Sequence, residues 1–206
     1  MIRIMDENTQ ETGIGDDAYI NHEGWLSRIE QLFSENHNER PLGIEPSLLV
    51  IHCISLPPEQ YGSGHIQQFF TNQLHIEEHP YFETIKDLRV SAHFLITRCG
   101  RVIQFVSTEK RAWHAGLSSF EGCDNCNDFS IGIELEGSEH SEYEEQQYQS
   151  LIRLTQRILS RYPKITLNRI VAHSDIAPDR KTDPGEFFNW TRLHNALQKW
   201  ILTQQK

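Results

Sequence analysis

Ser47-Leu-Leu-Val-Ile-His-Cys-Ile54 is the stretch on which the fold turns. It is apolar up to its histidine, too short for most helices, and followed by Pro57-Pro58. It therefore reads as a strand buried on both faces, with His52 near its C-terminal end. Further along, Arg89 to Arg98 and Arg101 to Val106 read as two strands around Cys99-Gly100, where the glycine marks a hairpin. Phe129-Ser-Ile-Gly-Ile-Glu-Leu-Glu136 alternates, with Ile131, Ile133 and Leu135 on one face and Gly132, Glu134 and Glu136 on the other. This predicts a half-buried strand whose second face is acidic.

Helices complete the pattern. Ser141 with Glu144 gives a capping-box signature, and Tyr148, Leu151, Ile152, Thr155, Ile158, Leu159 and Tyr162 then follow helical spacing up to Pro163. Val171-Ala172-His173 reads as the end of a short strand, followed by a loop through Pro178, Pro184 and Gly185 and a last helix capped by Asn189. Upstream, Trp25, Ile29, Leu32 and Phe33 fall at i, i+4, i+7 and i+8, predicting a helix that ends in the polar loop from Ser34 to Pro41. Residues 1–22 are polar, contain Gly13 and Gly15, and show no apolar periodicity, so a flexible N-terminal extension is expected ahead of a domain spanning 23–206. The sum is an α/β fold, a single-domain mixed β-sheet with helices packed on it.

Composition narrows the function classes. A chain of 206 residues fits one domain. Its net charge of −10 excludes the basic stripe that nucleic-acid binding needs. The chain has no apolar run of about 18 residues, and it turns acidic at Asp6-Glu7 before an export signal can develop. A soluble protein without a membrane partner is expected. Cys53, Cys99, Cys123 and Cys126 are too few and too unevenly spread for a disulfide framework, which implies reduced thiols and a cytoplasmic location. Cys123 to Cys126 is a lone CxxC without a partner pair, so neither a zinc nor a redox reading follows.

Eleven histidines are sorted by position. His52 and His173 each sit where a strand gives way to a loop, a rigid edge that can aim ligands into a cleft. His173 opens His173-Ser-Asp-Ile-Ala-Pro-Asp-Arg-Lys-Thr-Asp183-Pro-Gly, and the Pro-stiffened loop brings Lys181 and Asp183 back towards it. A catalytic zinc takes three protein ligands from imidazole and carboxylate and keeps a fourth position open, which His52, His173 and Asp183 would satisfy. His93, inside a strand, reads as a core histidine. His114, between Trp113 and Ala115 in a loop, reads as lining a substrate cleft.

These residues carry a resemblance. Leu49-Val-Ile-His-Cys-Ile-Ser-Leu-Pro-Pro58, Arg89-Val-Ser-Ala-His93, Lys110-Arg-Ala-Trp-His-Ala-Gly116, Cys126-Asn-Asp-Phe-Ser-Ile-Gly-Ile-Glu-Leu-Glu-Gly137 and the loop from His173 to Gly185 resemble the AmpD-type N-acetylmuramoyl-L-alanine amidases. Phage lysozyme-amidases and peptidoglycan-recognition proteins are relatives of that family. The resemblance runs from about Glu23 to Trp200. It implies Zn2+ bound by His52, His173 and Asp183, Glu134 activating water, and Lys181 supporting the oxyanion. It also implies a monomer acting on anhydro-muropeptides in peptidoglycan recycling, with a link to control of β-lactamase expression.

Other positions stay open. Arg89, Arg111 and Arg180 can grip the substrate's carboxylates or be plain surface charges. Tyr81 can face the site or simply pack, and Lys181 can be a surface ion-pair partner. Two departures from the family pattern stand out: Cys53 replaces an asparagine and Asn125 a basic residue. Two rival readings are a non-catalytic wall-recognition module, which the presence of Asp183 disfavours, and a periplasmic autolysin, which the absence of an export signal disfavours. Glu134 and Glu136 share a strand face. Glu134, deeper in the strand, is the expected base, while Glu136 at the strand's end is expected to be solvated or held in a structural salt bridge.

Overall fold

The computed structural model describes residues 13–204. Its strands, among the described residues, are β1 (Glu30–Gln31), β2 (His37–Asn38), β3 (Leu48–Ile54), β4 (Phe94–Ile96), β5 (Val102–Gln104), β6 (Arg111–Ala112), β7 (Ser119–Phe120), β8 (Cys123–Asp124), β9 (Ser130–Glu136) and β10 (Ile170–Ala172). The helices are α1 (His65–Phe70), α2 (Pro80–Glu83), α3 (Glu145–Arg161), α4 (His173–Ile176) and α5 (Trp190–Gln204). Six strands form a mixed sheet in the order β1-β5-β4-β9-β3-β10, in which β4, β9, β3 and β10 run parallel and β5 turns back against β4. The small pairs β2/β6 and β7/β8 lie outside it.

Strand alternation divides the interior. On β3, Leu49 and Ile51 join Ile131, Ile133 and Leu135 of β9 in a core closed by Leu151, Leu154 and Ile158 of α3 and Leu193 and Leu197 of α5. On the opposite face, Leu48 and Val50 pack with Ala115, Cys126 and Ile176. Further along that face, Leu95, Ile103 and Phe105 pack with Phe70, Phe82 and Ile85. His52 continues the Leu48–Val50 row, so it emerges on the face that the two long helices leave open. The expectation that 47–54 is buried on both faces holds.

Several expectations change. Every residue of β9 is buried, so its second face is covered rather than half-solvated. The 25–33 segment is not a helix. Leu32 N and Ser34 N donate to the carbonyls of Gln104 and Phe105, and Leu26 N donates to the Gln104 side chain, so the segment lies along β5, with Glu30–Gln31 as the edge strand β1, and gives it the hydrogen bonds that a helix would have kept internal. Phe33, counted in the helical stripe, is exposed. The hairpin around Gly100 is present but its strands are shorter than expected, and His93 lies just ahead of β4. Gly100 has φ +82°, and a Cβ there would meet the Gln146 carbonyl at 2.7 Å. The capping box of α3 joins Glu144 to Gln147, not Ser141 to Glu144. Asn189 caps α5 as expected, its Oδ1 accepting from Arg192 N.

The boundary expected near Glu23 falls within packed chain. Ile14, Ala18 and Ile20 are buried in the α3/α5 core. Arg153 and Arg157 of α3 donate to the carbonyls of Ile14 and Asp16, both at 2.7 Å. Residues 1–12, the rest of the expected extension, lie outside the described residues. The segment lacked a periodic signal because its three apolar anchors join the core from an irregular stretch and form no named element of their own.

Truncating such an anchor tests the packing. Ile14→Ala should destabilise the protein by about 2–5 kcal/mol, the usual cost of emptying a buried aliphatic site. Urea denaturation reads the loss, and a change within experimental error would show that the segment adds nothing to the core.

Candidate active site

Backbone register assembles the site. His52 pairs with Glu134 across β3 and β9, while Ile51 pairs with Ala172 across β3 and β10. His173, the next residue after Ala172, therefore stands level with His52 on its other side. The loop after α4 folds back, with Ser174 N donating to the Asp183 carbonyl and Lys181 N to the Ala177 carbonyl. This return brings Asp183 over the two histidines.

The three side chains converge on one point. His52 Nδ1 lies 2.9 Å from His173 Nδ1 and 3.2 Å from Asp183 Oδ2, and His173 Nδ1 lies 3.0 Å from the same oxygen. A tetrahedral zinc shell with bonds of about 2.0–2.1 Å separates its ligand atoms by about 3.3 Å, close to the edges of this triangle. Two imidazole nitrogens 2.9 Å apart cannot both carry a proton, and a cation shared by all three donors suits them better than any hydrogen-bonding pattern. The group can hold a metal ion. Burial drives the His52 pKa down to about 4, against the nearby Asp183 carboxylate that raises it, so the ring is neutral and has a lone pair to give. For Asp183, burial raises the pKa, but the close approach of the His173 and His52 rings outweighs it and holds the carboxyl well below its ordinary value.

The two acids of β9 are sharply distinguished. Glu136 Oε1 accepts from Gly62 N at 2.6 Å and its Oε2 from Arg98 N at 2.9 Å. It is buried, so the expected solvation or salt bridge is replaced by two backbone amides. Glu134 is also buried, but its Oε2 has no hydrogen-bond partner among the described residues. Burial first, and the negative charge of Asp183 second, push its pKa well above the carboxylate range, with Lys181 pulling the other way. A carboxylate so placed readily takes up a proton.

Two hollows meet at this point. A cleft of about 240 Å³ has an apolar wall from Phe69, Tyr81, Ile85, Leu88 and Trp113 and reaches Glu134, His173 and His114. A more polar one of about 510 Å³ runs past Glu59, Ser138, Glu139, His140 and Arg180. Cys53, Ser55, Lys181 and Asp183 border both. Tyr81, Trp113, His114 and Lys181 are thus brought to the cleft as the sequence suggested. Arg180 borders the polar hollow, although its Nη2 is engaged by the carbonyls of Ala115 and Leu117 at 2.6 and 2.7 Å. Arg89 is not brought in: its Nη1 caps the carbonyls of Lys86 and Leu88. Arg111 is paired with Asp128 and bonded to Asn38.

His93 is a satisfied core histidine. Its Nδ1 accepts from Gly132 N at 3.0 Å, its Nε2 faces the Lys110 carbonyl at 3.1 Å, and burial together with the nearby Arg40 lowers its pKa to about 3. Sequence reasoning missed three supports. Arg40 donates to the carbonyls of Thr108, Asn127, Asp128 and Ser130, Asn127 Oδ1 accepts from His114 N and Ala115 N, and Ser130 Oγ lies 3.2 Å from His114 Nε2. One signal existed, because a glycine within a strand marks a close approach, and a Cβ on Gly132 would lie 2.5 Å from His114 Cγ. The four cysteines are free thiols, and burial raises that of Cys53 to about 12.

The family model described as N-acetylmuramoyl-L-alanine amidase matches residues 38–186. The chain is 52% identical over 175 residues to the 1,6-anhydro-N-acetylmuramyl-L-alanine amidase AmpD of Haemophilus influenzae, covering 85% of this chain and 95% of that protein. It is 47% identical to the AmpD of Escherichia coli, covering 86% and 96%. A crystal structure of AmpD superposes with a TM-score of 0.83 at 48% identity, over 85% of this chain and 97% of that one. A complex of the amidase AmiD from E. coli with anhydro-N-acetylmuramic acid-L-Ala-D-γ-Glu-L-Lys superposes with a TM-score of 0.55 at 30% identity, over 86% of this chain and 65% of that one.

Glu136→Ala would leave the amides of Gly62 and Arg98 without their acceptor. At about 1–3 kcal/mol for each stranded donor, a loss of roughly 2–6 kcal/mol in unfolding free energy is expected. Thermal or urea melts decide it, and an unchanged stability would mean that water serves those amides equally well.

Proposed function

Because the chain belongs to the N-acetylmuramoyl-L-alanine amidase family, we propose that it hydrolyses the amide between 1,6-anhydro-N-acetylmuramic acid and L-alanine in cell-wall fragments, with one zinc held by His52, His173 and Asp183. One observation carries the reading: the triangle of two Nδ1 atoms and Oδ2 stands beside a buried Glu134 whose Oε2 is unpartnered. A zinc ion supplies Lewis acidity there, acidifying water and polarising a carbonyl oxygen. Two neutral imidazoles and one carboxylate leave the site a net positive charge with such an ion, and Lys181 adds another. Both favour the negative charge that develops on the amide oxygen.

Glu134 moves the proton. Its free Oε2 takes one from the attacking water and passes it to the nitrogen of L-alanine, so the amide C–N bond breaks to give a free lactyl carboxyl group and a free peptide amine. Burial suits it to this, because a carboxyl whose pKa is raised takes up a proton more readily than an ordinary carboxylate. The two hollows that meet at Lys181 and Asp183 give the parts of a substrate on either side of that bond different surroundings, one apolar and one polar.

A wall-recognition module would need neither a complete ligand triad nor a free buried acid, and both are present. No helix among the described residues is long and apolar enough to cross a membrane. Action as a monomer in the cytoplasm, on recycled fragments whose level feeds into β-lactamase control, completes the reading.

Zinc content of purified His173→Ala should fall from one per chain to near zero, and full retention would overturn the ligand set. Anhydro-muropeptides incubated with the wild type should give the anhydro-sugar and a peptide beginning with L-alanine by mass spectrometry. A chelator should abolish the cut. Glu134→Gln should keep its zinc and its fold while turning over at least about 100-fold more slowly. Equal release from intact sacculi would contradict the substrate class.

A further inference from the structure

We propose that His114 is a positioning residue for the metal ligand His52, and that the single turn 113–116 orients both histidine ligands at once. The inference rests on the metal reading above. At His173, Nε2 lies 3.1 Å from the Ala115 carbonyl, which only accepts and is nearer than the Arg180 Nη2 donor at 3.5 Å, so Nε2 carries the proton and Nδ1 turns its lone pair to the ligand triangle. At His52 the same demand is met by a side chain. For its Nδ1 to offer a lone pair beside His173 and Asp183, its Nε2 must carry the proton, and that nitrogen lies 2.9 Å from His114 Nδ1.

His114 Nδ1 is then the acceptor. The His114 proton consequently sits on Nε2, which faces Ser130 Oγ at 3.2 Å, a hydroxyl able to accept it. Each tautomer in the row His52, His114, Ser130 is assigned from ligation by Nδ1, and no group in the row is left with a clash of donors.

The neighbourhood holds this ring in place. Asn127 Oδ1 accepts from both His114 N and Ala115 N, at 3.1 and 2.8 Å, and Arg180 donates to the Ala115 carbonyl at 2.6 Å. The imidazole lies over Gly132, where a Cβ would come within 2.5–2.8 Å of three of its atoms. It meets the His52 ring edge to face, at 5.0 Å between centroids. Although His114 borders the smaller cleft, both of its nitrogens are engaged, so only carbon edges remain for a ligand. That separates the proposal from the substrate-contact role suggested by the sequence.

Zinc dissociation constants from competition with a chromogenic chelator test it, compared for the wild type, His114→Phe and His114→Asn. Phenylalanine keeps a ring over Gly132 but cannot accept a proton, whereas asparagine places Oδ1 where Nδ1 was. His114→Phe should bind zinc about 10- to 100-fold more weakly, the usual cost of losing the partner behind a metal-bound histidine, and His114→Asn should recover most of that loss. KM for anhydro-muropeptide on zinc-saturated protein should stay near the wild-type value. Melting of the metal-free proteins reports whether each variant folds. Should His114→Phe fail to fold, Ser130→Ala decides, with weakened zinc binding expected. Wild-type zinc affinity in the folded variants together with a raised KM would overturn the proposal and return His114 to the substrate wall. A wild-type chain that takes up no zinc would overturn the metal reading itself, an outcome distinct from a zinc-binding wild type matched by its His114 variants.

Discussion

Ile51 pairs with Ala172 and His52 with Glu134, and this parallel register of β10, β3 and β9 is the constraint on which the site depends. A slip of one residue in any of the three would carry a chemical side chain to the opposite face, because side chains alternate with a period of two. Burial holds the register against such a slip. Leu49, Ile51, Ile131 and Ile133 are locked under α3 and α5 while Leu48 and Val50 are packed on the other side, so a slipped strand would exchange one filled core for another that does not fit it. The geometry of the His52, His173 and Asp183 group is therefore maintained by apolar packing on both faces of the sheet.

The same face shows how polar burial is distributed. Glu134 and Glu136 are two residues apart and both enclosed, yet Glu136 is engaged by two amides and ties the loop at Gly62 to the hairpin at Arg98. Glu134 keeps an oxygen free at a typical cost of about 1–3 kcal/mol for an unpaired buried group. The large apolar core can carry that cost, and a local exception to the rule of satisfied burial is where chemistry is expected. His93, by contrast, is fully bonded and neutral, and contributes to stability alone.

The two departures from the family pattern are also given places by the structure. Cys53 borders both hollows, but burial keeps its thiol protonated, so it presents a small apolar surface and not a nucleophile. Asn125 sits at φ +57° in the turn between β8 and β9, a left-handed conformation that asparagine adopts more readily than most residues. Arg89 and Arg111 bind neighbouring carbonyls or carboxylates, which leaves Lys181 and Arg180 as the cationic groups at the polar hollow.

The sequence by itself determined the strand around His52, the alternation of 130–136, the long helix ending before Pro163 and the histidine-to-aspartate loop, because each is encoded by local period or by proline and glycine. It also named His52, His173, Asp183 and Glu134, since their positions at strand ends and within a recognisable motif are local properties. Only the tertiary structure decided the rest. Ile29 and Leu32 look helical until β5 takes the hydrogen bonds of their segment, Leu32 N donating to the Gln104 carbonyl. Ile14 and Ile20 have no periodic neighbours and find burial only in the core shared with α3 and α5. The difference between Glu134 and Glu136 appeared only where Gly62 and Arg98, both distant in sequence, donate to the second carboxylate. The contact of His114 with His52, whose ring nitrogens lie 2.9 Å apart, has the same origin. Hydrogen bonds between residues tens of positions apart are set by how elements pack, and no local pattern records them.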